Sequence, residues 1–390
     1  MALLTARRKA GLNLGTLTSS RADPQRNIDW ILLACTALLA VIGVAAVYSS
    51  TRPLMLRQGI DPFLYAERQV IFLIIAAAAM AVVMAFDYRW FGERSGALYG
   101  ATLLALVLVL IVGAVRSGAR LSFDVGPIAV QPAEFAKAAV LVVLAWFLAE
   151  ERSDDVSYPR FVTSLLMVGA PVVLIVLQPD LGGASVLVAA AVGVLLVAGA
   201  KVRYIALVTT LGLATVAAAL FAGLVDRYQL GRIEAFINQN STEERLQRLV
   251  YQVRFAKRAV STGGLTGQGW LEGPLTNGGY VPLQWSDFVF SAITEQFGMI
   301  GGGVVLGLLV IMMLRIWRTA QLAKDRLGAY LCAGVLSMLL WQVFQNIGMT
   351  MGIMPVTGLP LPLVSYGGSG AVAWAIMLGL VQSVHMRRLR

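Results

Sequence analysis

Apolar residues gather in ten runs, near 29–49, 68–86, 95–115, 131–149, 161–177, 181–200, 204–223, 287–314, 327–353 and 364–384, parted by short charged or Pro/Gly-rich breaks. A helix needs about 20 residues to cross about 30 Å of hydrocarbon at 1.5 Å per residue. The pattern therefore predicts an all-α polytopic membrane protein with about ten transmembrane helices. Two runs are long enough to tilt or kink. One interval stands apart, a long extracytoplasmic loop at 224–284 between the seventh and eighth spans. The expected division is a tail at 1–28, a ten-helix membrane domain at 29–386 that includes this loop, and a short end at 387–390. Within the loop, Asp226 to Lys257 mixes charges with spaced apolar residues, which predicts amphipathic helices on the membrane surface. Gly263, Gly264, Gly267 and Gly269 then predict a flexible lid.

Composition agrees and adds a direction. The chain is 58% hydrophobic and only 13% charged, a balance that a water-soluble domain does not have. An even number of spans puts both ends on one side. If the ends are cytoplasmic, the inner segments hold 18 Lys and Arg and the short outer loops five. Positive segments resist translocation, so both termini are expected to be cytoplasmic. Seven more basic residues lie in the 224–284 loop, which is long enough to escape the rule, and the last is Lys137, inside a span. The net charge of +10 is then read as adhesion to anionic headgroups, not to nucleic acid. Cys35 and Cys332 sit in different apolar runs and read as small core residues. Met1–Arg26 lacks the short apolar stretch and cleavage site of a signal peptide and is expected to be a cytoplasmic tail.

Charged groups inside spans are costly, so each is a functional candidate. Here they share a side. Even-numbered helices start outside, so their N-termini, with free N–H groups and positive dipole ends, point outward. The fourth opens Gln131-Pro132-Ala133-Glu134 and the sixth Gln178-Pro179-Asp180-Leu181-Gly182-Gly183, each with Pro where a missing N–H costs nothing and an acid in the first turn. Helix capping alone explains Glu134 and Asp180 as well as a site does. Lys137, one turn deeper on the face of Glu134, fits either a structural ion pair or an anionic ligand. The eighth span starts Trp285-Ser286-Asp287-Phe288 and carries Glu295 near the same face. At the lipid–water boundary, partial desolvation would raise the Asp287 carboxyl towards general-base duty, although a plain helix-start acid reads the same way.

The uncharged stretch Asn346–Gly370 joins the last two spans and includes Pro355, Pro360 and Pro362. Backbone of this kind at membrane depth is tolerated where protein or a cavity satisfies it, so the segment, with Ser365 and Tyr366, is expected to line a site. The single histidine, His385, falls at the cytoplasmic end of the last span. Without His/Cys ligand sets or a Ser-His-Asp combination on the outer face, metal-hydrolase and serine-protease readings lose their parts. Carboxylate acid–base chemistry or transport remains.

Over nearly its whole length the chain resembles the shape, elongation, division and sporulation (SEDS) family, the RodA/FtsW group. The resemblance is carried by Pro355-Val356-Thr357-Gly358-Leu359-Pro360-Leu361-Pro362-Leu363-Val364-Ser365-Tyr366-Gly367-Gly368-Ser369, and by the ordered set Gln131-Pro132-x-Glu134, Gln178-Pro179-Asp180-Leu181-Gly182 and Ser286-Asp287-Phe288. The form of Pro360–Ser369, and Ser383-Val384-His385, look more like RodA than FtsW. The resemblance implies a peptidoglycan glycosyltransferase of the cytoplasmic membrane that polymerises lipid II into glycan strands at the outer face during cell elongation. Implied partners are lipid II, the growing undecaprenyl-linked glycan, a class B penicillin-binding protein supplying transpeptidation, and other elongation or division proteins.

By the same resemblance Asp287 is the general base or positions the acceptor 4-hydroxyl. Substrate contacts are expected from Glu134, Lys137, Asp180, Arg68, Arg120, Glu295, Ser365 and Tyr366. Arg68 with Gln69 matches a basic–polar pair of the family, though snorkelling to the interface accounts for Arg68 nearly as well. No metal-binding residues are expected. A divalent cation, magnesium or manganese, would serve departure of the pyrophosphate, but no motif announces one. Two departures from the family pattern stand out. Gly118-Ala119-Arg120 is followed by Leu121-Ser122 where the family has Trp after Arg, and Pro282-Leu283-Gln284-Trp285-Ser286-Asp287 lacks the family's Glu and His before the aspartate. Two other readings stay open: a flippase for lipid-linked precursor, motivated by broken helices and buried charges, and a non-catalytic scaffold for a penicillin-binding protein.

Overall fold

The computed structural model describes residues 24–389 apart from 117–118, 126–127, 152–154, 222–226, 240 and 242. Most of the expected tail, Gly118 and Asp226 thus lie outside the described residues. Among the described residues, eight helices are long and apolar enough to cross a membrane: α1 (Trp30–Arg57), α2 (Leu64–Ala85), α4 (Ser95–Val112), α5 (Pro132–Ala149), α6 (Tyr158–Leu177), α12 (Val289–Gln321), α13 (Arg326–Thr350) and α14 (Gly368–Met386). The apolar helices α7 (Leu181–Val197) and α8 (Val202–Phe221) occupy the expected sixth and seventh spans. A short α3 (Tyr88–Glu93) bridges α2 and α4, and the long loop carries α9 (Arg227–Ile237), α10 (Glu244–Gly263) and α11 (Pro274–Gly278).

The helices divide by what surrounds them. About 72% of α5, 67% of α13 and 78% of α14 is buried inside the protein, against 17% of α4, so these three form the centre, with α7 packed against them and α4 on the outside. Helix starts follow local chemistry, with Asp29, Asp180 and Asp325 accepting hydrogen bonds from the N–H groups of Leu32, Gly183 and Gly328.

The helical architecture gains one element that the hydrophobic pattern did not predict. Between α4 and α5 lies a three-stranded antiparallel sheet, β1 (Ala114–Arg116), β2 (Ala119–Val125) and β3 (Ile128–Val130), in order β1-β2-β3. Strand β3 leads directly into α5, and Ser369 at the start of α14 ties the junction, donating to the Ala129 carbonyl and accepting from the Gln131 N–H.

At the end of the bundle that carries the long loop, the N-termini of α2, α5, α7, α12 and α14 converge on the segment between α13 and α14. Gln69 bonds Ser365 and Gly367, Gln131 bonds Ser369, and a Cβ on Gly182 would stand 3.1 Å from the Thr357 carbonyl. The segment is not a re-entrant helix. It is coil and turn, held by α13 through Gln342, Gln345 and Asn346, three buried amides on one helical face. Gln342 donates to the Pro360 carbonyl at 2.8 Å, Gln345 to the Thr357 hydroxyl at 3.4 Å, and Asn346 to the Leu359 carbonyl at 2.7 Å. Buried amides thus do for this backbone what water cannot do at that depth.

Candidate active site

Asp287 sits in the turn immediately before α12, and the carbonyls of three successive residues there are held in place. The Trp285 carbonyl accepts from the Tyr366 N–H at 2.9 Å, that of Ser286 from the Ser365 hydroxyl, and that of Asp287 from the Asn346 amide at 2.9 Å. Ser365 in turn accepts from the Leu361 N–H at 2.8 Å. The Asp287 side chain, half-buried, takes a hydrogen bond from the Ser286 hydroxyl at 3.0 Å. Burial pushes its carboxyl above the ordinary carboxylate range, against the pull of that hydroxyl and of the Arg232 charge.

Arg232 comes from α9 in the long loop and donates to the Thr357 carbonyl at 3.3 Å. Gly358, at φ +75°, lies between it and Asp287: a Cβ there would stand 3.6 Å from Asp287 Oδ2 and 3.9 Å from Arg232 Nη2. Asp180 caps α7 from the far side of Thr357, and its carboxyl is lifted by burial while the Gly183 N–H, Lys137 and Arg232 oppose the lift. Lys137 and Arg232 thus both bear on Asp180, and Arg232 on Asp287 as well.

Glu134 and Lys137 pair at 2.6 Å, and Lys137 is wholly sealed from solvent. The second Glu134 oxygen has no hydrogen-bond partner among the described residues and faces Gly370, where a Cβ would be 3.6 Å away. Of the pair, Glu134 is therefore the member nearer to open space. Arg68 lies close to the Tyr366 hydroxyl, and Gln69 beside it grips the Ser365 carbonyl at 3.2 Å, so the basic–polar pair faces the α13–α14 segment as well as the interface. Tyr366 packs at a tilt against Tyr65 with centroids 5.1 Å apart, and Tyr65 meets Trp285 at 5.8 Å, also tilted, making an aromatic wall beside the Asp287 turn.

Two expected contacts have other work. Arg120 donates to the Leu110 and Ile111 carbonyls and so closes the C-terminal end of α4. Glu295 is fully buried and receives the N–H groups of Leu275 and Thr276, at 2.7 and 2.9 Å, and the Thr276 hydroxyl. A carboxylate so enclosed has no face left for a substrate. It pins α11 instead, and Thr276 passes the hold through Gln284 to Ser291.

The glycine run is also not a loose lid. α12 is broken at Gly298 (φ 65°, ψ −163°), and the run is stitched into the break. Gln268 and Gly269 donate to the Glu295 and Gln296 carbonyls, while Met299 and Ile300 donate to Gly264 and Leu265. Cβ atoms on Gly263 and Gly267 would fall 1.9 and 2.1 Å from the Thr294 and Gln296 carbonyl oxygens, so glycine is needed for close approach. The loop helices dock as well: Gln239 donates to the Gly352 carbonyl at 2.8 Å and accepts from Lys257 at 2.7 Å.

Beside the polar cluster, an apolar cleft of about 510 Å³ runs between α2, α4, α5 and α14, walled by Phe91, Leu98, Phe123, Phe135, Ile376 and Leu380. Among the described residues no three carboxylate, imidazole or thiolate groups gather to hold a metal. Asp287 fits only the mode in which one carboxylate and substrate phosphates share a divalent ion.

A bundle of membrane-spanning helices whose polar groups meet at one end, next to an apolar cleft, defines a multi-pass membrane protein with a polar cluster at that end. Its family follows from comparison. A model for the cell cycle proteins FtsW, RodA and SpoVE matches residues 29–389, and the chain belongs to this SEDS family. It is 35% identical to stage V sporulation protein E of Bacillus subtilis (strain 168), over 94% of this chain and 98% of that one. It is 31% identical to the peptidoglycan glycosyltransferase MrdB of Escherichia coli (strain K12), over 83% and 86%. Among solved structures it is similar to the rod shape determining protein RodA of Thermus thermophilus, with TM-score 0.68, 30% identity and coverage of 93% and 98%. It is also similar to a chain of a peptidoglycan synthase complex described as coordinating polymerization and crosslinking, with TM-score 0.78, 30% identity and coverage of 93% and 99%.

Proposed function

We propose that this protein polymerises lipid II into glycan strands at the outer face of the cytoplasmic membrane, with Asp287 as the general base. The observation that carries the reading is the Asp287 turn: a half-buried carboxylate with a raised pKa, held by three consecutive backbone clamps at the start of α12. A raised carboxyl is a better match to a hydroxyl proton than an ordinary one. In the step, Asp287 takes the proton of the acceptor 4-hydroxyl, that oxygen bonds to the donor's anomeric carbon, and the bond from that carbon to undecaprenyl pyrophosphate breaks. Five converging helix N-termini supply positive potential for the departing anion. The apolar cleft suits the first isoprene units of the lipid, and the Tyr65–Trp285–Tyr366 wall suits sugar faces. A divalent ion, if bound, would neutralise the pyrophosphate through the substrate's own phosphate oxygens. Trp285 stands where the family commonly has His, so a carboxylate without an adjacent imidazole serves as the base.

The form of Pro360–Ser369 favours an elongation role, with a class B penicillin-binding protein crosslinking the product and both termini in the cytoplasm. The test is polymerisation of lipid II by the purified protein, with and without that partner, and with and without chelator. Wild type should make long strands and Asp287→Asn none, at unchanged folding. Translocation of lipid II in liposomes without polymerisation would favour a flippase instead, and normal growth with Asp287→Asn would favour a scaffold.

A further inference from the structure

We infer that the corner where α12 and α14 end and α1 begins, at the end of the bundle opposite the long loop, binds the phosphate of an anionic phospholipid between Arg318 and Arg388. Three helix ends are pinned together there. Asp29, buried just before α1, exchanges backbone hydrogen bonds with the Gln382 amide of α14, its N–H donating at 3.1 Å and its carbonyl accepting at 2.8 Å. Its carboxylate accepts from Arg315 of α12, from Nε and from Nη2, each at 2.8 Å. Thr319 of α12 and His385 of α14 complete the joint, with Thr319 Oγ1 3.1 Å from His385 Nδ1.

The joint holds more positive charge than it neutralises. Arg318 follows Arg315 by three residues and so shares its face of α12. Arg388 stands three residues past His385 and donates to the His385 and Asn27 carbonyls at 2.9 and 3.4 Å. Burial disfavours the Arg388 charge, Arg315 and Arg318 add to the effect, and Asp29 opposes them. The Asp29 carboxylate is already taken up by Arg315 and by the Leu32 N–H. Elsewhere at this end arginines meet acids of their own, Arg89 with Asp325 at 2.7 Å and Arg160 with Glu151 at 3.0 Å. The Arg318 guanidinium is exposed and has neither a hydrogen bond nor an ion pair among the described residues.

The flanks say which anion is at hand. Trp30, beside Asp29, and Trp317, beside Arg318, are 69% and 52% exposed. Tryptophans exposed at the ends of membrane helices sit at the level of the lipid headgroups. The joint therefore stands among phospholipid phosphates, where a basic pocket between helix ends takes a headgroup. A guanidinium offers phosphate oxygens paired donors, and Arg318 has all of its own to give. An anionic lipid brings a phosphate without a cation of its own, which a zwitterionic lipid carries.

The test uses the full-length protein in nonionic detergent, titrated with phosphatidylglycerol or phosphatidylcholine, with bound lipid counted by native mass spectrometry and stability followed by thermal unfolding. Phosphatidylglycerol should bind and raise the Tm, and phosphatidylcholine should not raise it. Arg318→Gln and Arg388→Gln should each weaken phosphatidylglycerol binding about fivefold, and the double variant more than about tenfold. Arg388 also holds two carbonyls, so Arg318→Gln, whose lost side chain holds none, is the decisive variant. Lys201→Gln removes an exposed charge from the α7–α8 turn, outside the joint, and should change binding by less than about twofold in about 0.15 M salt. Equal binding by Arg318→Gln and wild type would overturn the inference. So would an equal loss in Lys201→Gln, which would mark diffuse attraction to the whole surface. Inorganic phosphate that stabilises wild type as much as phosphatidylglycerol does, with the effect lost in Arg318→Gln, would overturn the lipid as the source and leave a site for a soluble anion.

Discussion

Asn346→Leu removes, at nearly constant volume, the amide that holds the carbonyls of Asp287 and Leu359 at 2.9 and 2.7 Å. Asn346 is fully buried, so neither carbonyl gains water in exchange. Each orphaned acceptor costs about 1–3 kcal/mol. Part of that is returned, because the Asn346 Oδ1 has no partner among the described residues and its burial penalty disappears with it. A net loss of about 2–4 kcal/mol in unfolding free energy is expected. The effect on rate comes from position. Trp285 and Ser286 remain clamped by Tyr366 and Ser365, so the turn persists, but its last tether, at the backbone carbonyl of Asp287, is gone. A displacement of about 1 Å costs about 100-fold in a positioned reaction. Polymerisation kcat should fall about 10- to 100-fold with KM for lipid II within about twofold, because the lipid and phosphate contacts lie elsewhere. Asn346→Asp should be worse, since it restores no donor and buries a charge. The assays are steady-state polymerisation and thermal unfolding in the same detergent. An Asn346→Leu protein with wild-type kcat and a stability change below about 0.5 kcal/mol would refute the clamp.

Three further outcomes follow from the same geometry. The raised Asp287 carboxyl must be ionised to act, so the polymerisation rate should rise with pH through a pKa above the ordinary carboxylate range. For stability the sign is opposite: a carboxyl raised on folding contributes below its unfolded pKa and loses that contribution as pH climbs through the folded value, so Asp287→Asn should raise the Tm at pH 7 while abolishing polymerisation. Lys137→Met leaves the buried Glu134 without its 2.6 Å partner and should cost about 3–5 kcal/mol in unfolding free energy, most of which Glu134→Gln in the same chain returns. Glu295→Gln places an amide where one oxygen accepted two donors from Thr276; limited proteolysis should then open the 265–283 loop, and unchanged protection would count against Glu295 as the anchor of α11.

The bundle was legible because each span is a long apolar run, and the acids at helix starts were legible because Pro and a carboxylate in the first turn mark an N-terminus. The strand β2 was legible in principle: Leu121, Phe123 and Val125 alternate with Arg120, Ser122 and Asp124, the period of a strand. Seven residues between two spans drew no attention. Glu295 was misread for a different reason. Counting i+8 along a straight helix put it near the face of Asp287, but Asp287 precedes the helix, and the loop folds back to take the carboxylate at its own N–H groups. The glycines were misread as freedom where they serve close approach. Arg232 and Asn346 carried no local signal, because their bonds close over 125 and 59 residues and only the packed segment between α13 and α14 brings the partners together.

That packing also bears on transport. A translocation path needs polar groups or water through the whole bundle, with a site reachable from both sides in turn. Below the clamp, the central helices α5, α13 and α14 meet through Leu141, Leu144, Leu331, Met338, Trp374 and Leu378, all buried to within 2%. At the far end the acids are already engaged: Asp29 with Arg315 at 2.8 Å, Asp325 with Arg89 at 2.7 Å and Tyr88 at 2.9 Å, and Asp87 with Arg387 at 3.5 Å. Among the described residues the two polar ends are thus separated by a mainly apolar core, in which the buried Trp374 indole N–H offers a polar headgroup far less than water does. Chemistry at one end has no such need. A base that takes a proton from a sugar hydroxyl must return it to water, and a half-buried carboxylate at the loop end can do so without any path across the membrane.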